Sequence, residues 1–242
     1  MRSLGTILGV WAHPDDETYL SAGLMAHAIA QGDRVVCVTA TRGEAGSLDE
    51  KRWPPTTLAS VREAELIAAL AALGVTEHEW LDYPDGRCDS IPTEEAVIKV
   101  GALFEEVQPD TVLTFGPDGM TGHPDHKAIS AWTTTAFEQS AKPGAALYYA
   151  TVTPEWMDTV APVLDRFDVF FAGKPSVTAV DELGIDMTLT PELLDRKYRA
   201  IATQVSQSKL MLEALGRDFF NTSQNGEWFS LAATQPASVA ET

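Results

Sequence analysis

Thr6-Ile7-Leu8-Gly9-Val10-Trp11 runs without a break into Ala12-His13-Pro14-Asp15-Asp16-Glu17. The first half is an apolar run of strand length. The second gathers an imidazole and three carboxylates. A buried strand that ends in such a cluster predicts an open α/β sheet, because ligands collect beyond the carboxyl ends of its strands. The same residues also suit a helix N-cap with an acidic first turn. A helix is expected over residues 21–31, stopped by Gly32. Residues 34–40 hold Val35, Val36, Cys37 and Val38, a continuous apolar run suited to a strand buried on both faces. Strand, helix and strand in that order make the two strands parallel.

The alternation continues outward. An amphipathic helix is expected over residues 61–73, with Ala64, Ile67, Ala68 and Ala71 on its apolar side and Gly74 as its end. A short strand over 77–81 leads into Asp82-Tyr83-Pro84-Asp85-Gly86. A helix over 93–107 is capped by Thr93, with Glu94 and Glu95 where the helix dipole favours acids. The fourth strand, 111–115, exits into Gly122-His123-Pro124-Asp125-His126, a second polar cluster past a strand end. A helix over 127–140 and a strand over 146–152 follow. Beyond Pro154 the pattern loosens: a short helix to Asp165, a strand at 176–180, one long helix at 191–215 and an edge strand at 228–231. The expected fold is a Rossmann-like α/β sheet, mainly parallel, with helices on both faces and a less regular C-terminal part. Residues 1–231 read as a single domain and 232–242 as a disordered tail.

The chain has 242 residues and a formal net charge of -18. Acids are spread along it, and the clustered Lys and Arg that nucleic-acid binding requires are missing. A small-molecule ligand is favoured. Cys37 and Cys88 lack the spacing of a zinc site or a disulfide framework. With no signal peptide at the start and no run of membrane-helix length, the expected setting is cytoplasmic. Homo-oligomerisation is compatible with the sequence.

Of five histidines, His27 on a helix and His78 beside a short strand read as structural. His13, His123 and His126 fall in the two strand-end loops beside acids. His13 and Asp16 can reach one ion across a turn, and His126 completes the set from the other loop. Two imidazoles and a carboxylate match catalytic zinc and equally the facial triad of ferrous iron, one divalent ion per chain. Such an ion lowers the pKa of a water to roughly 7 and polarises a carbonyl. Asp15 is the natural base. His123 is placed to stabilise an oxyanion or protonate a leaving amine, with Asp125 holding it charged and oriented.

At this point the residues resemble a known family, the PIG-L or LmbE-like deacetylases. Its two hallmarks stand unaltered as Ala12 to Glu17 and His123 to His126, and Thr41-Arg42-Gly43-Glu44 and the helix with Arg62, Glu65 and Leu73-Gly74 are similar too. The resemblance implies metal-dependent removal of an acyl group from an amino sugar. His13, Asp16 and His126 would bind the metal, Asp15 would be the base, and His123 with Asp125 would stabilise the transition state. Arg62 and Asp85, with Arg42 and Glu44 of the glycine loop, would contact the substrate. Two departures bear on a thiol-sugar substrate: Thr121 where some members place a tyrosine, and Gln204 where the family often has histidine.

The leading expectation is a deacetylase of an N-acetylglucosamine-like compound. The alternatives are an amidase on a thiol-sugar conjugate and a metal-retaining binding protein without activity. A nucleotide-binding module is disfavoured because the first strand leads to His and Asp, with no Gly-x-Gly-x-x-Gly turn.

Overall fold

A computed structural model describes residues 3–236. The first part alternates as expected: β1 (Ile7–Trp11), α1 (Asp16–Gln31), β2 (Val35–Thr39), α2 (Pro55–Leu73), β3 (Glu77–Trp80), α3 (Thr93–Val107), β4 (Thr111–Phe115), α4 (Pro124–Ser140) and β5 (Ala146–Thr151). Then come α5 (Pro154–Thr159), α6 (Ala161–Leu164), β6 (Leu183–Thr188), α7 (Pro191–Thr203), α8 (Val205–Ser223) and β7 (Gly226–Thr234).

The seven strands form one sheet in the order β3-β2-β1-β4-β5-β7-β6. The first five are parallel, with Ile7 of β1 opposite Val35 of β2 and Thr111 of β4. The chain steps outward from β1 to β3, then returns through α3 to place β4 on the free side of β1. Right-handed crossovers put α1 and α2 on one face and α3 and α4 on the other. Accordingly α3 packs on α4, while α7 covers α1 and α2. Every residue of β1, β2 and β4 is buried, which is why these strands are mainly apolar. Trp11 and Phe115 meet edge to face at 5.2 Å in this core.

α2 buries a different face from the one expected. Leu58, Arg62, Leu66, Ala69, Leu70 and Leu73 point inward, and Ile67 is 56% exposed. From Leu66 to Leu73 the helix is apolar all round, so periodicity there does not select a face. Arg62 settles it, because its guanidinium is needed beneath the loops.

The C-terminal third differs most. Residues 176–180 form no strand; Val177 makes one isolated bridge to Val152, and the strand is β6. β7 is no edge: it lies between β5 and β6, antiparallel to both. It extends to Thr234, so the expected tail begins inside a strand, and residues 237–242 lie outside the described part. The single helix expected at 191–215 is broken at Gln204, and at Gly216, where it was expected to end, the backbone leaves the helical conformation (φ 75°, ψ 173°) before a further helical stretch to Ser223. Among the described residues no helix is long and apolar enough to cross a membrane.

A buried ion pair ties this third to α1. Lys197 Nζ donates to Glu227 Oε1 at 2.9 Å and to the carbonyl of Tyr19 at 2.7 Å. Glu227 in turn accepts the N–H groups of Gly23 and Leu24 at 2.8 and 2.7 Å. The pair therefore inserts into the hydrogen-bond ladder of α1, the helix that begins at Asp16. Glu227→Ala would leave Lys197 and two helix N–H groups without partners. It is expected to destabilise the protein by about 3–5 kcal/mol, read as a shift of the denaturant midpoint. A midpoint like the parent's would show the pair to be dispensable.

Candidate active site

The loops after β1 and β4 meet where the sheet order reverses, and a cavity of about 530 Å³ opens over them. The backbone N–H of His13 donates to Asp16 Oδ2 at 2.7 Å, which ties the first loop to the first turn of α1. His13 Nδ1 lies 3.6 Å from Asp16 Oδ2 and 3.1 Å from His126 Nε2. His126 Nε2 is 3.4 Å from Asp16 Oδ1. His13, Asp16 and His126 thus converge, as their sequence positions suggested.

The far side of each ring is engaged elsewhere. His126 Nδ1 donates to the Gly119 carbonyl at 2.9 Å. His13 Nε2 sits 3.1 Å from Asp85 Oδ1 and 3.3 Å from Asp125 Oδ2. These outer bonds select the tautomers that leave His13 Nδ1 and His126 Nε2 bare toward Asp16. Two bare imidazole nitrogens and a carboxylate at one point are a donor set that fits a first-row divalent cation.

Burial lowers His126 to about 4, so its ring is neutral, as ligation requires. Asp16 is held down to about 2: burial would raise it, but His126 and His13 outweigh that. Burial would likewise lower His13, yet Asp125, Asp16 and Asp85 together raise it well above the ordinary imidazole value. The carboxylates of Asp16, Asp85 and Asp125 thus surround His13 and favour positive charge there.

Asp15 stands at the N-cap of α1 with φ 121°, a conformation that is strained for a residue other than glycine. Neighbours on both sides hold it. Its N–H donates to Glu17 Oε2 at 2.9 Å, and its Oδ2 accepts from Arg62 Nη2 at 3.1 Å. Arg62 Nη2 also donates to the Pro14 carbonyl at 2.5 Å, and Nη1 to the Gly43 carbonyl at 2.9 Å. Position 43 must be glycine: its φ is +66°, and a Cβ there would lie 2.1 Å from Arg62 Nη1. Asp15 lines the cavity beside the cluster. Glu17, whose part the sequence left open, is fully buried and anchors that backbone. Its other oxygen accepts from Gln204 Nε2 at 2.9 Å. Gln204 therefore occupies the break between α7 and α8 as a brace for the Asp15 turn.

His123 lines the cavity, its ring edge-on to His13 at 4.8 Å. Its Nδ1 accepts the N–H of Asp125 at 3.2 Å, capping α4 and leaving Nε2 as the nitrogen free to carry a proton. Burial, and then the charge on His13, lower its pKa, so the ring is a neutral donor. The expectation that the Asp125 carboxylate would hold His123 charged does not match this geometry. That carboxylate faces His13 and accepts the N–H groups of Gly86 at 2.7 Å and Cys88 at 3.0 Å. Cys88 is thereby part of a buried turn.

The substrate residues divide. Arg62 and Asp85 line the cavity. Asp85, not Asp82, enters the site, its Oδ2 accepting from the N–H of Ala45 at 2.8 Å. Arg42 turns away from the cavity: it pairs with Glu63 at 3.0 Å and with Asp82, and stacks on Trp80. Glu44 serves from behind, accepting the N–H of Asp85 at 2.9 Å. His78 bonds Thr39 Oγ1 and packs on Trp80, in keeping with its structural reading. Sequence reasoning missed the far wall, where Met211, Leu212, Leu215 and Phe219 of α8 line the cavity. Their helical spacing was visible but reads equally as a core stripe.

Comparison with known proteins turns on the same loops. The model of the family "PIG-L: GlcNAc-PI de-N-acetylase" matches residues 8–137, which span both loops and everything between them. The chain belongs to the PIG-L family. A PIG-L relative from Mycolicibacterium gilvum, a 1D-myo-inositol 2-acetamido-2-deoxy-alpha-D-glucopyranoside deacetylase, is 34% identical over 88% of this chain and 84% of its own. Among solved structures, the zinc-inhibited form of a teicoplanin deacetylase superposes with TM-score 0.67 at 18% identity, covering 93% of this chain and 97% of that one. A 4-carboxy-2-hydroxymuconate hydratase from Pseudomonas putida superposes with TM-score 0.64 at 17% identity, covering 98% and 99%. The PIG-L fold therefore carries more than one chemistry, and the residues of the site have to decide the reaction.

Proposed function

We propose that the protein is a metal-dependent amide hydrolase that removes the acetyl group from the nitrogen of an N-acetylglucosamine-like small molecule. The observation that carries this is the meeting of His13 Nδ1, Asp16 and His126 Nε2 beside a strained, arginine-held Asp15. The relatives' names support the substrate class. The reading treats residues 1–231 as one catalytic domain, supported by β6 and β7 completing the sheet of β1–β5. It places the protein in the cytoplasm, which suits two buried, unpaired cysteines.

His13, Asp16 and His126 would hold one zinc or ferrous ion, which supplies a Lewis acid for the amide carbonyl and acidifies a water. Asp15 takes the proton of the attacking water and passes it to the departing nitrogen, so that water plus amide gives acetate plus the free amine. Arg62 keeps the Asp15 carboxylate aimed. His123 Nε2–H donates to the oxygen on which negative charge builds. Asp85, Arg62 and Gln207, all lining the cavity, offer partners to the sugar hydroxyls.

Apo-protein reconstituted with zinc or ferrous iron is expected to release free amine from N-acetylglucosamine derivatives. Full metal occupancy without release from any amide would overturn the reading in favour of a binding protein. Asp125 has a separate test. It orients His13, so Asp125→Ala should weaken metal binding by about 10–100-fold, measured by competition with a chelator. An unchanged metal dissociation constant would remove Asp125 from that role.

A further inference from the structure

The cavity is much larger than an acetyl group needs, and its two halves differ. On the β2 side of the site it is polar, lined by Arg62, Asp85 and Gln207. Its apolar lining comes from Trp156, Leu164 and Phe170, which follow β5, and from Met211, Leu215 and Phe219 of α8. Most of these side chains are only half-buried, so their apolar surface faces the cavity and not a packed core. α8 makes this wall. In its first turn Gln207 donates to the Gly46 carbonyl at 3.2 Å on the polar side. α8 ends at Ser223, whose carbonyl accepts from Trp156 Nε1 at 2.9 Å on the apolar side. The segment thus passes along the cavity as two helical stretches kinked at Gly216, between Leu215 and Phe219.

An amide bound at the His–Asp cluster has two arms. The nitrogen carries the amino sugar, which matches the polar half. The carbonyl carbon carries the acyl group, which is left with the apolar half. An acetyl methyl would leave Leu215, Phe219 and Trp156 facing water. A longer chain would cover them, and burial of apolar surface is the main source of affinity in such a pocket.

We propose that the apolar half of the cavity is an acyl-chain subsite, and that the enzyme prefers N-acyl amino sugars with acyl groups longer than acetyl. The proposal rests on the amide-hydrolase reading, and its test separates the two. The metal-loaded enzyme is assayed on N-acetyl-, N-butanoyl-, N-hexanoyl- and N-octanoylglucosamine, and on octyl N-acetylglucosaminide. The expected result is a rise in kcat/KM of about three- to fourfold per methylene until the wall is covered. Leu215→Trp, which fills the subsite, and Met211→Glu, which charges it, should each reduce the octanoyl-to-acetyl ratio. A flat or falling series overturns the proposal, as does a gain seen with the octyl glycoside and not with the acyl chains. If no amide is cleaved, the hydrolase reading fails and calorimetric binding decides the subsite. Tighter binding of N-octanoylglucosamine than of N-acetylglucosamine supports it, and equal binding overturns it.

Discussion

Asp15→Asn is expected to lower kcat by about 10²–10⁴-fold, the usual contribution of a positioned general base, while metal content stays at the parent's level. The substitution is a clean one for a structural reason. Asparagine is among the few residues that tolerate positive φ, so it can keep the 121° backbone that another side chain would disturb. Its amide still faces Arg62, but it takes up no proton at any ordinary pH. The carboxylate it replaces has been taken out of water: burial raises Asp15 above the usual carboxylate range, and the Arg62 guanidinium only partly offsets this. Turnover close to the parent's with intact metal would show that the proton goes elsewhere.

His126→Ala is expected to empty the metal site and abolish activity with it. Its effect on metal affinity should exceed the roughly 10–100-fold expected at Asp125, since a direct ligand is lost and not its support. Elemental analysis after purification reads the outcome, and metal content equal to the parent's would refute the ligand assignment. Folding must be checked alongside, because the His126 ring stacks on Phe115 at 4.1 Å and its loss opens space beneath β4. Near-parent far-UV circular dichroism with lost metal would separate the two effects.

Much of the architecture was legible in the chain because its local signals agree with one another. β1 and β2 lie in the sheet interior and read as nearly continuous apolar runs, and the helices after them end at Gly32 and Gly74, which take left-handed conformations. The two polar loops were legible for the same reason: each packs its histidines and acids into a few residues next to a strand end. Where local signals were weak, the reading failed. α2 is too uniformly apolar from Leu66 to Leu73 to declare a face, and β6 and β7 depend on partners far away in the chain.

What the sequence determined by itself was a parallel α/β sheet and two half-sites, because both follow from residues close together in the chain. Tertiary structure decided how those residues divide the work. It turned Asp125 from His123 to His13, sent Arg42 outward to Trp80 and brought Asp85 in. It also set Gln204 behind Glu17 and laid the apolar wall of α8 across the cavity. These pairings join positions such as 17 and 204, whose distance in the chain carries no local signal, and only a folded sheet edge brings their side chains within hydrogen-bonding reach.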